Sequence, residues 1–83
     1  MDIERKAKMS KSLLDSDSFK ETMRDLRERQ IDAFADSDVG EVEKREEAHA
    51  ILRALNLIEQ TLTSNVDALK FAQRKGQHRD GSD

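Results

Sequence analysis

The sequence predicts an all-α protein: an antiparallel helical hairpin with a long second helix, preceded by a short N-terminal helix and assembled into an oligomer. The chain has no Pro, Trp or Tyr and three Gly in 83 residues, so the turn-rich and aromatic-rich signatures of small β folds are missing. Leu, Ile, Val and Phe make up about 22% of the residues and 40% are charged, so a folded form must be thin and strongly amphipathic. Apolar residues recur at helical spacing in two long segments separated by a short polar stretch.

The N-terminal basic segment, residues 1–15, is predicted to contain a short helix over residues 2–14. Its apolar face is irregular, which leaves open whether it docks on the rest of its own chain or exchanges between chains. The candidate contact residues of this segment are Ile3, Ala7, Met9, Leu13 and Leu14.

The first hairpin helix is predicted over residues 18–35. Ser18 and Glu21 have the spacing of a capping box, in which the hydroxyl accepts from a backbone N–H and the carboxylate reaches back to the Ser18 N–H. The apolar residues that follow lie within an arc of roughly 100°, and acidic residues lie on the opposite side. The predicted hairpin core combines residues of this helix and the next: Phe19, Met23, Leu26, Phe34, Ile51, Leu55 and Ile58.

A short polar linker, residues 36–40, is expected to end the first helix. Asp38 and Glu41 form a second pair with capping-box spacing, which also suits the positive end of a new helix. The second helix is therefore expected to start near residues 39–41 and to run to about residue 73, with Gly76 as its C-terminal stop.

The hairpin is thus assigned to residues 16–76, and residues 77–83 are expected to form a mobile tail because they have nothing to bury. At 1.5 Å per residue, the second helix is about 50 Å long, nearly twice the length of the first. The first helix cannot cover it completely. The remainder must pack on the N-terminal segment, pack on another copy of the chain, or stay exposed.

The long helix carries two apolar surfaces in the sequence. The seam follows alternating steps of three and four residues and consists of Ala48, Ile51, Leu55, Ile58, Leu62, Asn65, Leu69 and Ala72, with Leu52 and Val66 broadening it. The stripe, on the opposite side, consists of Ala50, Ala54, Leu57, Thr61, Ser64, Ala68 and Phe71. From Ala50 to Val66, only Arg53 and Glu59 are charged.

A helix that is apolar on two sides is usually enclosed by neighbours on two sides. One neighbour is the first helix of the same chain, and the expected second neighbour is another copy. The predicted oligomer interface consists of Leu57, Phe71, Ala54, Ala68, Leu62 and Leu69. The alternative is a three-helix monomer in which the N-terminal segment folds back over the stripe.

Composition points away from an enzyme, a cofactor or a small-molecule substrate. Without Cys there is no disulfide framework, thiolate metal site or Cys nucleophile, and no Ser hydroxyl in the N-terminal third has a His nearby in sequence. Glu46 and His49 have the Glu-x-x-His spacing of ferritin-like di-metal sites, but they lie away from the seam and lack an inward-facing carboxylate partner, so no metal is predicted. The sequence has no apolar run that indicates a membrane partner or a secretory signal, so a cytoplasmic location is expected.

The charge is distributed unevenly along the chain. Residues 1–11 and 70–83 each carry a net charge of +2, whereas residues 12–69 carry −7. The basic ends supply weak candidate contacts for nucleic acid, and a larger protein partner is the stronger expectation. The candidate nucleic-acid contacts are Lys6, Lys8, Lys11, Arg74, Lys75 and Arg79.

The stretch from Ser16 to Gly76 contains a Ser-x-x-Phe opening at Ser16 and Phe19, an acidic linker, and a Leu-rich helix that includes Leu55 and Leu62. This arrangement resembles small helical-hairpin proteins of tailed-phage and gene-transfer-agent packaging or structural gene clusters, including the oligomerising helices of small terminase subunits. The resemblance implies a role in DNA packaging or particle assembly, in the host cytoplasm or in the assembled particle. A DNA-binding domain of the usual small-terminase type is missing from the sequence.

The leading interpretation is therefore a non-enzymatic assembly or adaptor protein that associates with itself through the long helix. The alternative is a small regulator that binds a helix of a different protein through its Leu-rich seam. A ferritin-like metal protein is the least favoured of the three.

Overall fold

The computed structural model describes the backbone of residues 2–81 and the side chains of residues 2–75. The protein is all-α, as the sequence predicts, with α1 at Ile3–Asp15, α2 at Asp17–Asp36 and α3 at Val42–Gly81. Residues 2–81 contain no strand. The fold is a hairpin in which α3 forms one arm, and α1 and α2 together form the other.

Bonds between the two arms show that they are antiparallel. As residue numbers increase along the first arm, the numbers of the bonded partners on α3 decrease. The first arm, α1 followed by α2, therefore runs opposite to α3. Both pack on α3 far more than on each other. The result is a rod of 65 × 24 × 20 Å. The bonded pairs are Ser10 with Asn65, Arg27 with Glu59, and Ser37 with Arg45.

Ser16 separates α1 from α2. Its backbone is extended (φ −69°, ψ 127°), its N–H donates to the Leu13 carbonyl, and its hydroxyl accepts from the Phe19 N–H at 3.3 Å. One residue thus ends α1 and caps α2. The predicted Ser18 cap is wrong, because Ser16 already fills that role two residues earlier and Ser18 lies inside the first turn of α2.

α1 forms and covers the part of α3 that α2 is too short to reach. Asp2 caps it by accepting from the Arg5 N–H at 3.5 Å. Ala7 and Ser10 are only 3% and 4% exposed, and such small side chains allow α1 to lie close to α3. The excess length of the long helix is therefore covered by the N-terminal segment of the same chain.

Residues 37–41 link α2 to α3. The Glu41 carboxylate accepts from the Asp38 N–H at 2.8 Å, which is the reach-back half of the predicted capping box. This bond, and then the charge of Lys44, holds the pKa of Glu41 below its usual range. The Arg45 guanidinium also stabilises the linker, which the sequence did not predict. It donates to the carbonyls of Asp38 at 2.5 Å and Val39 at 3.2 Å.

The predicted ends of the helices differ from the observed ends mainly at the C-terminus. α2 agrees with the predicted span within one residue at each end, and α3 starts just after the predicted position. Gly76 does not stop α3, which continues to Gly81. A glycine inside a helix costs about 1 kcal/mol relative to alanine, which weakens a helix without ending it. The side chains of the expected mobile tail, and all of residues 82 and 83, lie outside the described residues.

The core is thin. Among residues 2–75, the hydrophobic side chains that reach full burial are Ala7, Met23, Ala48 and Leu55, and two of these are alanines. Of the other predicted core residues, Phe19, Leu26 and Ile51 are half-buried. Phe34 and Ile58 are exposed by 48% and 45%, so their assignment to the core is wrong.

Ile58 is exposed because α2 lies toward the other flank of α3. Arg27 of α2 donates to Asn56 at 3.2 Å and pairs with Glu59, and both partners lie on that flank. Leu52 and Glu59 are half-buried there, whereas Ile58 is left at the uncovered edge of the seam.

Candidate self-association surface

The stripe on α3 is exposed along its whole length. Leu57 and Phe71 are 63% and 66% exposed, well above the ordinary exposure of such side chains. The small residues between them are exposed as well: Ala50, Ala54, Thr61, Ser64 and Ala68. The predicted interface residues Leu57, Phe71, Ala54 and Ala68 are therefore all on the surface of the folded chain.

Thr61, at the middle of the stripe, has its polar group satisfied within α3. Its hydroxyl donates to the Leu57 carbonyl at 2.8 Å, one turn earlier. The hydroxyl therefore does not require a hydrogen-bond partner from outside. A second apolar surface can cover Thr61 without leaving that donor unpaired.

The stripe and the seam are neighbours around the helix. At 100° per residue, their centres are separated by about 110°, so the expectation of opposite sides is wrong. Around the helix axis, an angular sector of about 120° extends from the position of Leu57 to that of Ile51. Within residues 50–72 of α3, no charged residue lies in this sector. The exposed Ile58 lies within this sector, between the stripe and the covered part of the seam.

The first arm borders this surface along α1. Ser10 of α1 accepts from the Asn65 side-chain amide at 3.0 Å, which marks the flank of α1 that is nearest the uncharged sector. Helical spacing places Lys6 about 40° and Leu13 about 60° from Ser10 around α1. Leu13 is 42% exposed, so this flank adds one apolar side chain of the first arm beside the charged Lys6.

α1 covers the seam and leaves the stripe open. The three-helix monomer in which the N-terminal segment closes over the stripe is therefore not the observed arrangement. Leu62 and Leu69, predicted at the oligomer interface, are half-buried within their own chain. They belong to the part of the seam on which α1 packs, so α1 covers them in part.

Asn65 is a polar residue on the seam, and its position is explained by α1. Its amide bonds to Ser10, the buried polar residue of α1, so the pair fixes where α1 lies along α3. Gln30, the polar residue on the apolar face of α2, is half-buried.

The antiparallel arms bring the basic ends of the chain together. Lys8 pairs with Glu4 at 3.1 Å and Lys11 with Asp15 at 2.9 Å, so their charges are partly compensated within α1. The bond from Lys11 and its positive charge lower the pKa of Asp15. Lys6, Arg74 and Lys75 are exposed, and the Arg79 side chain lies outside the described residues.

Glu46 and His49 are exposed on α3. Among the residues with described side chains, no three Asp, Glu, His or Cys residues come together as a metal site would require. The hollows on the surface are shallow and open; one follows the stripe and is lined by Ala50, Arg53, Ala54, Asn56, Leu57 and Gln60. In the described part of the chain, no helix combines the length and the apolar character needed to cross a bilayer.

Comparison with known proteins does not identify a relative. No protein-family model, curated protein or solved structure matches the chain.

Proposed function

We propose that this protein is a non-enzymatic assembly or adaptor protein that associates with itself through the stripe on α3. The observation that carries the proposal is the exposure of Leu57 and Phe71 on the stripe, next to a sector of α3 that carries no charge between Ala50 and Ala72, in a chain with 40% charged residues. Contiguous exposed apolar surface marks interaction sites.

The thin core supports the same proposal. In the described part of the chain, ten large hydrophobic side chains are exposed, and four hydrophobic residues are buried. Small domains bury too little surface to be stable by a wide margin, and oligomerisation is a common remedy. Covering the stripe adds apolar burial that one copy does not supply.

The chain resembles helical hairpins of phage packaging and structural gene clusters. This resemblance suggests that the self-associated protein acts in particle assembly or DNA packaging. In that context, an oligomer presents several copies of the basic ends to a larger protein or to nucleic acid. Repetition of a weak contact raises the overall affinity by avidity.

Sedimentation velocity over a range of protein concentrations tests the proposal. We expect the wild-type chain to sediment at a defined multiple of 9.5 kDa. Leu57→Asp and Phe71→Asp each place a charge in the stripe, and each should weaken association by about tenfold or more, equivalent to about 1.4 kcal/mol. Val39→Asp is the matched control, because Val39 is an exposed apolar residue of the linker, away from the stripe.

The control variant should keep the wild-type mass, and circular dichroism should show unchanged helix content in all three variants. An unchanged mass for both stripe variants would contradict the proposal. A wild-type monomer at every concentration would also contradict it and would favour the regulator that binds a helix of another protein.

A further inference from the structure

The two ends of the rod carry opposite net charges. The terminal end, residues 2–11 and 67–75, has seven basic and three acidic residues, a net charge of +4. The linker end, residues 28–47, has three basic and eight acidic residues, a net charge of −5. The antiparallel arms create this separation, because they place both ends of the chain opposite the linker. The stripe lies between the two ends, and the length of α3 separates them by about 40 Å.

We infer that two copies pair through the stripe in opposite directions, so that the terminal end of each copy and the linker end of the other lie toward the same end of the pair. This inference rests on the proposed self-association and adds the identity and direction of the partner. Opposite charges then meet at both ends of the pair. A parallel pair would place +4 beside +4 and −5 beside −5, which is unfavourable.

The sizes of the side chains in the stripe favour the same direction. The stripe has large residues at two positions, Leu57 and Phe71, with small residues elsewhere. When α3 of one copy is reversed against α3 of the other about a point between Thr61 and Ser64, Leu57 faces Ala68 and Phe71 faces Ala54. Large residues then fill the space above small ones, as close packing between helices requires.

The surface available is of the size that a dimer needs when both arms contribute. The stripe extends from Ala50 to Phe71, a length of about 32 Å, and two adjacent helices are about 20 Å wide. This gives about 650 Å² per copy, near the roughly 800 Å² per partner of a standard interface. The exposed Leu13 and Ile58 are the side chains that widen the surface beyond the stripe itself. Two hairpins that meet in this way form a four-helix bundle.

Distances between spin labels test the direction, and the absence of cysteine in the chain makes single-site labelling direct. One variant carries a nitroxide at Glu46→Cys and the other at Gln60→Cys; both positions are exposed and outside the stripe. In the antiparallel pair, the labels at position 46 should be about 50 Å apart and those at position 60 within about 20 Å. A parallel pair gives short distances at both positions.

The Gln60→Cys variant distinguishes failure of the antiparallel direction from failure of self-association. Short distances at both positions would overturn the antiparallel direction while leaving self-association intact. No dipolar coupling at either position, together with a monomeric mass, would overturn the proposed function as well.

Salt gives a second readout of direction with opposite expected signs. In the antiparallel pair, raising the salt concentration from 50 to 500 mM screens attraction between the ends and should weaken association a few-fold. In a parallel pair, the same change screens repulsion and should strengthen association. Stronger association at high salt would therefore contradict the antiparallel pair.

Discussion

The two apolar sides of α3 each carry large hydrophobic side chains, but one side is covered and the other is exposed. Leu55 is 5% exposed beneath the first arm, whereas Leu57, two residues later, is 63% exposed on the stripe. The hydrophobicity of the residue does not distinguish them, because both are leucines on one helix. The difference is that the chain supplies one arm, made of α1 and α2, and one arm covers one side. The pattern of a helix therefore indicates how many neighbours it needs, and the chain length limits how many it provides.

The largest expected effect comes from truncating each leucine. Leu55→Ala should lower the free energy of unfolding by about 2–4 kcal/mol at every protein concentration, because it opens a cavity in the core. Leu57→Ala should leave the stability of the single chain within about 0.5 kcal/mol, since its side chain is exposed there. Urea denaturation at several protein concentrations measures both. Equal losses at low concentration would mean that the two sides of α3 do not differ as the structure describes.

The bond between Ser10 and Asn65 provides the next test of the covered side. Asn65→Ala removes the partner of a hydroxyl on a residue that is 4% exposed, so the free energy of unfolding should fall by about 1–3 kcal/mol. Adding Ser10→Ala should recover part of this loss, because no buried hydroxyl is then left without that partner. Ser64→Ala, the neighbouring change on the stripe, is the control and should have little effect. If the double variant is no more stable than Asn65→Ala, the hydrogen bond does not account for the loss.

A smaller effect is expected at the flank where α2 meets α3. Arg27→Met removes the pair with Glu59 and the bond to Asn56 and should cost about 1 kcal/mol, because the pair is only partly shielded from water. Arg29→Met, an exposed change on the same helix, is the control. A double-mutant cycle with Glu59→Gln isolates the pair. Strictly additive effects would show that Arg27 does not position α2 through Glu59.

The smallest effect concerns the linker and depends on pH. The pKa of Glu41 is lowered by the Asp38 N–H and by Lys44, so the ionised carboxylate favours the folded state. This contribution is complete above the ordinary pKa of 4.5 and is lost as the pH falls through the lowered pKa of the folded state. Glu41→Gln should therefore reduce the loss of stability on acidification, as measured by thermal unfolding from pH 7 to pH 3. An identical pH profile in the variant would contradict this role.

The sequence was sufficient for the architecture because the hairpin depends on patterns that are local. The helical repeat of apolar residues and the polar stretch near Asp38 predicted two antiparallel helices, and these form. The sequence predicts Ser18 as the N-cap of α2 and the structure has Ser16, because both serines have suitable spacing and the backbone conformation decides between them. Gly76 matches the pattern of a helix end, but glycine only weakens a helix, and α3 continues to Gly81.

The surroundings of α3 could not be predicted from one helix at a time. Ile58 matches the seam as well as Leu55 does, but its exposure depends on the bonds of Arg27, a residue 31 positions away in sequence. Likewise, the position of α1 depends on a bond between Ser10 and Asn65, which are 55 residues apart. Exposure of the stripe follows from both, because together they place the first arm on the seam.

The most direct test is the absolute mass of the wild-type chain, measured by light scattering during gel filtration at low and moderately high salt. Self-association through an apolar stripe predicts a discrete multiple of 9.5 kDa at both salt concentrations. At the higher salt, a modest increase in dissociation is expected from the screened ends. A mass of 9.5 kDa throughout, at concentrations up to the millimolar range, would contradict the claim that the uncovered side of α3 binds a second copy.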